Sequence, residues 1–297
     1  MRRFLLAAVM FGAASGAQAA DMPDFLRGSI SAPAPTLNRN WDGWYVGGQV
    51  GYESTEIDFS RSVVSLTNFI FRNSTLQAPT SQWSLLNKNH AQGWSVGAFA
   101  GRNYQWEDIV FGFEANYNYF KNTKSSSASS IALGIVNPPG TVPPAGHTYT
   151  YNTSMTGAAA LEIKDVVTLR GRAGWATGNF LPYVFGGLAV GRMNVARSVT
   201  TNVVLQDDEV VSTTDAFGNV TTFSLPPVYS AVPSLSQSNS EQRTNSFVGG
   251  WTGGLGMEYM LWGNVFMRGE WEYLKFLKVK DTVVTLNSLR FGVGYKF

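Results

Sequence analysis

The chain has 297 residues, with 22 Lys and Arg, 20 Asp and Glu, and no Cys. So even a balance gives no electrostatic reason to expect a nucleic-acid partner, and a chain without thiols has no disulfides, zinc-thiolate sites or cysteine nucleophiles. No 18-residue apolar run follows the N-terminal segment, which excludes a transmembrane helix, whereas Trp 9, Tyr 12, Phe 19 and Gly 31 suit a sheet closed in lipid.

Met1-Arg2-Arg3, the apolar run Phe4 to Phe11 and the small residues ending Ala17-Gln18-Ala19 form the three-part pattern of a secretory signal, so 1–19 is expected to be a cleaved signal peptide. Removing Arg2 and Arg3 with it leaves 20 basic against 20 acidic residues. Residues 20–40, with Pro23, Pro33 and Pro35, are expected to be a periplasmic lead-in, and 41–297 the barrel itself.

Three later segments alternate with the period of two that a strand between lipid and lumen requires. Phe111, Phe113, Ala115, Tyr117 and Tyr119 oppose Gly112, Glu114, Asn116 and Asn118. Val265, Met267, Gly269, Trp271 and Tyr273 oppose Phe266, Arg268, Glu270 and Glu272, and Leu289, Phe291, Val293, Tyr295 and Phe297 oppose Ser288, Arg290, Gly292, Gly294 and Lys296. As helices these segments would carry charge and aromatic bulk around the whole circumference. Trp44 to Glu53, Trp94 to Trp106, Val166 to Ala176, Pro182 to Gly191 and Phe247 to Tyr259 fit the pattern less cleanly and are rich in glycine, which lets a narrow barrel curve and leaves lumen volume for bulky neighbours.

The connections alternate in length. Short ones fall at Glu107-Asp108, Thr177 to Phe180 and Leu261 to Asn264; long ones run from about Ser54 to Gly93, Lys121 to Asp165 and Arg192 to Ser246, with a shorter fourth from about Lys275 to Thr285. Short periplasmic turns and long extracellular loops are the rule for bacterial barrels. The long connections are rich in Ser, Thr, Asn and Pro, and two readings stay open for them: disorder, or strands extended beyond the membrane as hairpins, as over Val195 to Val211. Trp41, Trp44, Trp94, Trp106, Trp175, Trp251, Trp262 and Trp271 fall in or close to strand ends, the headgroup level that an aromatic ring with a polar edge prefers; Trp83 alone lies in a loop. Together these features predict an all-β fold, an eight-stranded antiparallel transmembrane β-barrel with long extracellular loops and short periplasmic turns.

Face by face, the lumen is expected to hold Glu53, Glu114, Glu258, Glu270 and Glu272 with Arg170, Arg172, Arg268, Arg290 and Lys296. An ion constriction is one reading; a salt-bridge network filling a barrel only as wide as its side chains is the stronger one. Glu270 and Glu272 form no glycosidase pair, since they share one strand face among arginines with no cleft, and only His90 and His147 are available for base catalysis, so no catalytic residue and no enzyme is expected. His147, beside Tyr149 and Tyr151, raises a haem ligand as a sharp alternative to an ordinary loop histidine. Arg102 points toward lipid by strict alternation, so either it snorkels or a bulge shifts the register. No cofactor or metal is called for.

The blocks Trp41-Asp42-Gly43-Trp44-Tyr45-Val46-Gly47-Gly48, Thr168 to Trp175, Leu181 to Ala189, Gly253 to Tyr259, Arg268 to Tyr273 and Arg290 to Phe297 resemble the small outer-membrane surface proteins typical of alphaproteobacteria. The resemblance covers the strands and leaves out the long loops. It implies an eight-stranded barrel of the OmpA transmembrane type, located in the cell outer membrane and acting in envelope integrity and surface exposure, with a small-solute porin or haem-binding receptor as the alternative. Outer-membrane lipid, lipopolysaccharide and the barrel-assembly machinery are the partners it implies, with any loop ligand unspecified. Phe291, Val293, Tyr295 and Phe297 resemble the C-terminal signal by which such barrels are recognised during assembly.

Overall fold

The structure is a computed structural model describing residues 39–121 and 123–297; the segments expected to be a signal peptide (1–19) and, but for its last two residues, a lead-in (20–40) fall outside the described residues. Strands β1 (Gly43–Asp58), β2 (Lys88–Trp106), β3 (Ile109–Lys121), β5 (His147–Trp175), β6 (Phe180–Thr214), β9 (Ser238–Trp262), β10 (Val265–Phe276) and β11 (Val283–Lys296) pair antiparallel in a ring of eight. The ring closes where β11 returns to β1, with Gly51 opposite Arg290 and Val46 opposite Tyr295. Between β1 and β2 lie helices α1 (Val64–Ile70) and α2 (Gln77–Thr80), and β4 (Lys124–Val136), β7 (Val220–Ser224) and β8 (Val228–Ala231) complete the order.

Alternation explains the barrel, and its sign identifies the solvent. On β3 the Glu114 side is inside, 1% exposed, while Phe113 on the outside is 51% exposed. An ordinary soluble sheet would reverse these, so the outer surface is built for hydrocarbon. Aromatic pairs mark its two edges. Trp44 with Phe113, Phe180 with Tyr259 and Tyr295 with Phe297 pack at the end where Arg39 and Phe297 lie, called the near end; Tyr52 with Trp94 and Trp251 with Tyr273 pack toward the far end. Arg102 lies on the outer face, with unbroken register to both neighbouring strands and its guanidinium over the Trp44 and Tyr104 rings, so no bulge turns it inward. Glycines admit the interior bulk: a Cβ on Gly47 would sit 2.2 Å from Phe99 Cζ, and one on Gly294 2.3 Å from Phe266 Cζ.

The near-end connections are short, with Glu107, Gly178 and Gly263 at positive φ in their turns. At the far end the expected long loops are largely strand. β5 has 29 residues and β6 has 35, where about ten suffice to cross a bilayer. Most of Lys121 to Asp165 and Arg192 to Ser246 is thus a four-stranded wall, β4–β5–β6–β9, that continues the barrel past the far girdle, and the fourth connection narrows to 277–282. Irregularities at the girdle hid this continuation. The β5–β6 register shifts between Ile163 and Asp165, and the β6–β9 register shifts between Met193 and Val195, with Asn245 on β9 at φ 53°. An extra residue in one strand moves its following side chains to the other face. Below the shift β5 sends Arg170 and Arg172 inward; above it Met155, Leu161 and Ile163 face in.

The β1–β2 segment closes the far end. Phe59, Val63, Leu66, Phe71, Leu76, Leu85 and Leu86 pack beneath the wall against Met155, Leu161, Ile163, Val195, Val199 and Val203, with Leu274, Phe276, Val284 and Leu286 from the opposite strands. Each such burial contributes roughly 1.5 to 3 kcal/mol, enough to hold two short helices whose N-termini have no side-chain cap. Trp83 packs against this cluster.

Candidate functional site in the barrel interior

The lumen is filled in three layers. At the near end Trp41, Tyr45, Phe99, Tyr183, Phe185, Met260 and Phe266 form an aromatic cluster. Trp41 is therefore inside the barrel at 1% exposed, not at the lipid headgroups where the strand-end argument puts it, because the chain turns inward over the lumen before β1 begins. The apolar β1–β2 segment fills the far end, and a charged layer lies between.

That layer is centred on Glu114 of β3. Arg170 Nε and Nη2 on neighbouring β5 donate to its Oε1 at 3.0 and 2.6 Å. Its Oε2 accepts from Arg268 Nη1 at 2.8 Å across the lumen and from the Tyr45 hydroxyl at 2.8 Å, with Arg172 Nη1 at 3.4 Å. Arg170 Nη2 also reaches Glu270 at 2.5 Å, where the Tyr183 hydroxyl donates at 2.6 Å. Arg172 Nη1 donates to Glu258 at 2.7 Å. Glu272 pairs with Arg290 and accepts from Thr252 Oγ1 at 2.5 Å. Glu53 takes the Ser95 hydroxyl at 2.5 Å and lies 3.9 Å from Arg290 Nε. Arg268 further donates to Gln49 at 2.5 Å and Asn116 at 3.1 Å.

Nine of the ten lumen charges read from the sequence are thus buried in one connected layer. Lys296 is the exception: its side chain points into the near mouth and donates to the Asp42 carbonyl at 2.8 Å, beyond reach of the glutamates. Parity places it on the lumen face, but its position at the end of β11 sets its height. Five carboxylates therefore face four guanidinium groups. The aromatic residues supply what charge pairing leaves over. Arg170 lies 4.0 Å above the Phe185 ring, Arg172 3.9 Å above Tyr183 and Arg268 3.3 Å above Phe99, contacts that a desolvated guanidinium favours. Tyr45, Phe99, Tyr183 and Phe185 are thus functional members that charge alone missed, although period two already puts them on the lumen face.

A second polar knot ties the far-end segment to the wall. Arg197 on β6 donates from Nη1 to the Ser62 carbonyl at 2.6 Å and Ser65 Oγ at 2.9 Å, and from Nη2 to Glu241 of β9 at 2.6 Å. Lys280 Nζ sits 2.6 Å from Glu241 and Arg243 Nε 3.1 Å. Hydrogen bonds from Lys280 and then Arg197 hold the Glu241 carboxyl down at about 2. At the wall tip His147 Nδ1 lies 2.9 Å from Asp207 and Nε2 3.9 Å from Glu209, so both ring nitrogens face carboxylates. His90 is exposed. Phe291, Val293, Tyr295 and Phe297 line the outer face of β11 and its end, with the Phe297 amide bonded to the Trp44 carbonyl at 2.8 Å.

Among curated proteins the chain is similar to the 25 kDa outer-membrane immunogenic protein of Brucella ovis, 24% identical over 204 residues, which is 69% of this chain and 64% of that protein. The protein of the same name from Brucella abortus is 22% identical over 213 residues, 69% of this chain and 66% of that one. The match thus spans slightly under two thirds of these relatives' length. Among solved structures, Neisserial surface protein A is 16% identical with a TM-score of 0.33, covering 86% of this chain and 97% of its own. Ail, the attachment invasion locus protein of Yersinia pestis, in a complex with sucrose octasulfate, is 10% identical with a TM-score of 0.30, covering 86% and 99%. The profile of the outer membrane protein beta-barrel domain matches residues 4–297, and with its lipid-facing exterior and closed ring of strands the chain belongs to that family of bacterial outer-membrane proteins.

Proposed function

We propose that this protein is a structural surface protein of the outer membrane, with a closed lumen, a role in envelope integrity and its wall displayed outside the cell. The filled interior carries the reading. An aromatic cluster, a charged layer and an apolar segment succeed one another along the lumen, and ions passing through would have to break buried pairs whose loss costs several kcal/mol each. Short turns at the near end and a tall wall at the far end support this orientation, being the usual periplasmic and extracellular arrangement. The outward alternation of Phe291, Val293, Tyr295 and Phe297 supports recognition by the barrel-assembly machinery. Planar-bilayer recording of the refolded protein tests the closed lumen: no steady conductance is expected. Large, stable wild-type channels would overturn the reading in favour of a small-solute porin.

A further inference from the structure

Above the far girdle the wall β4–β5–β6–β9 no longer closes on itself, so it has edges. The two are built differently. The β9 edge carries Glu241 and Arg243, lies beside Lys280 and is broken by the irregularity at Asn245; charges and bulges are the devices that keep an edge from pairing. β4 has neither. From Ser125 to Gly146 the chain contains no charged residue, and β5 is the strand with which β4 pairs, in continuous register from Lys124 to Val136.

The bonds around β4 show which backbone groups face the open side. The Thr123 carbonyl accepts from the Ile163 amide at 3.0 Å, and the Asn137 amide donates to the Tyr149 carbonyl at 2.8 Å, so the odd-numbered residues address β5. The Ser126 carbonyl instead accepts from the Asn89 side chain of β2 at 2.8 Å, on the opposite side. In an antiparallel strand the N–H and C=O of one residue point the same way, and the direction alternates along the chain. Ala128, Ser130, Ala132, Gly134 and Val136 therefore aim their donors and acceptors away from β5. All five are exposed, and four are small enough to let another backbone approach.

We propose that this edge pairs antiparallel with the same edge of a second copy of the chain, centred on Ala132. Self-pairing sets Ala132 opposite Ala132, Ser130 opposite Gly134 and Ala128 opposite Val136, with no like charges opposed and no bulk to clash. From Ser125 to Val136 the edge offers another partner no charge to recognise, and its exposed bulk is met in the second copy, Leu133 by Ile131 and Val136 by Ala128. The two-fold axis of such a pair stands perpendicular to the sheet, and the wall runs along the barrel, so the axis reverses the second barrel. The two copies then face each other from opposing membranes, joined through continuous sheet. This last step rests on the far end lying outside the cell; the pairing itself does not.

The Cys-free chain makes a clean test. In an antiparallel pair of this kind the two Ala132 Cα atoms lie about 5.5 Å apart, within disulfide range. Refolded full-length Ala132→Cys in detergent, under mild oxidation, is expected to give a disulfide-linked dimer that reduction dissolves, whereas Ser240→Cys on the β9 strand stays monomeric. Wild type should sediment as a dimer and Ala132→Lys as a monomer that keeps the heat-modifiable gel mobility of a folded barrel. Vesicles carrying the wild type should cluster, and those carrying Ala132→Lys should not. Equal cross-linking at both cysteines, a dimer that survives Ala132→Lys, or a wild type that is monomeric at every concentration tested would overturn the pairing. Dimers in detergent without vesicle clustering would overturn the facing-membrane arrangement. Failure of surface display on intact cells, with the detergent dimer present, would count against the proposed orientation alone.

Discussion

Replacing Arg170 by Ala removes the guanidinium that Glu114 and Glu270 share. In the barrel it donates to Glu114 at 3.0 and 2.6 Å, to Glu270 at 2.5 Å, and covers the Phe185 ring at 4.0 Å. Glu114 would keep Arg268, but Glu270 would be left with the Tyr183 hydroxyl and Arg268 at 3.7 Å. Removing one partner of a buried pair costs about 3 to 5 kcal/mol, because the other charge stays desolvated. With a urea dependence of about 2 kcal/mol per molar, the unfolding midpoint should fall by roughly 2 M. Tryptophan fluorescence of the refolded protein during urea titration reads this directly. Adding Glu270→Gln to Arg170→Met removes the stranded carboxylate along with the cation and should recover part of the loss. A midpoint change under about 0.5 M for Arg170→Ala, or no recovery in the paired variant, would refute charge compensation as the organising principle of the layer.

Phe291→Arg, on the lipid face opposite Val50, should destabilise the barrel by up to about 2 to 4 kcal/mol, a cost that is greatest at the bilayer midplane and falls toward the headgroups; refolding titrations in lipid vesicles measure it. Deleting Phe297 should lower the amount of protein reaching the outer membrane, scored by fractionation and heat-modifiable mobility, while a Phe297→Tyr change should be milder. The knot around Glu241 gives a pH dependence of fixed sign. The carboxyl is held at about 2 in the fold, below its ordinary value of 4.5, so its contribution is present above about pH 4.5 and is lost as pH falls toward 2. Pepsin cleavage within residues 59–86 should therefore rise over that interval, and Glu241→Gln should remove the step.

Much of the membrane-level structure is written in period two. β3, β10 and β11 alternate so regularly that Glu114, Arg268, Glu270, Glu272 and Arg290 can be assigned to the lumen from spacing alone. What spacing lacks is height, which is why Lys296 lands in the mouth and Trp41 inside the barrel. The wall was hidden for a different reason. Its outward residues, such as Ser126, Ala128, Ala158 and Ala160, are small and weakly polar, so hydropathy barely alternates, and the register shifts at the girdle break the phase just where a reader would carry it upward. Packing of the β1–β2 segment under that wall depends on residues 70 to 133 positions distant, such as Leu66 and Leu85 with Met155 and Val199, and no local signal reports them.

The register shifts at the girdle act as joints between two rulers. Below them a strand is measured against hydrocarbon and puts its apolar side chains out; above them β5 is measured against water and puts its apolar side chains in. Because the change of phase is confined to β5 and β9, the outer storey can lengthen, shorten or rotate its pattern without disturbing a single pair in the charged layer. β6 has no such joint: its odd-numbered residues face inward from Leu181 to Val203. A one-residue insertion near Lys164 or Asn245 should therefore be absorbed locally, whereas one at Gly191 in β6 would turn Val195, Arg197, Val199 and Val203 out to solvent together, and the storey above the membrane would lose its floor plan.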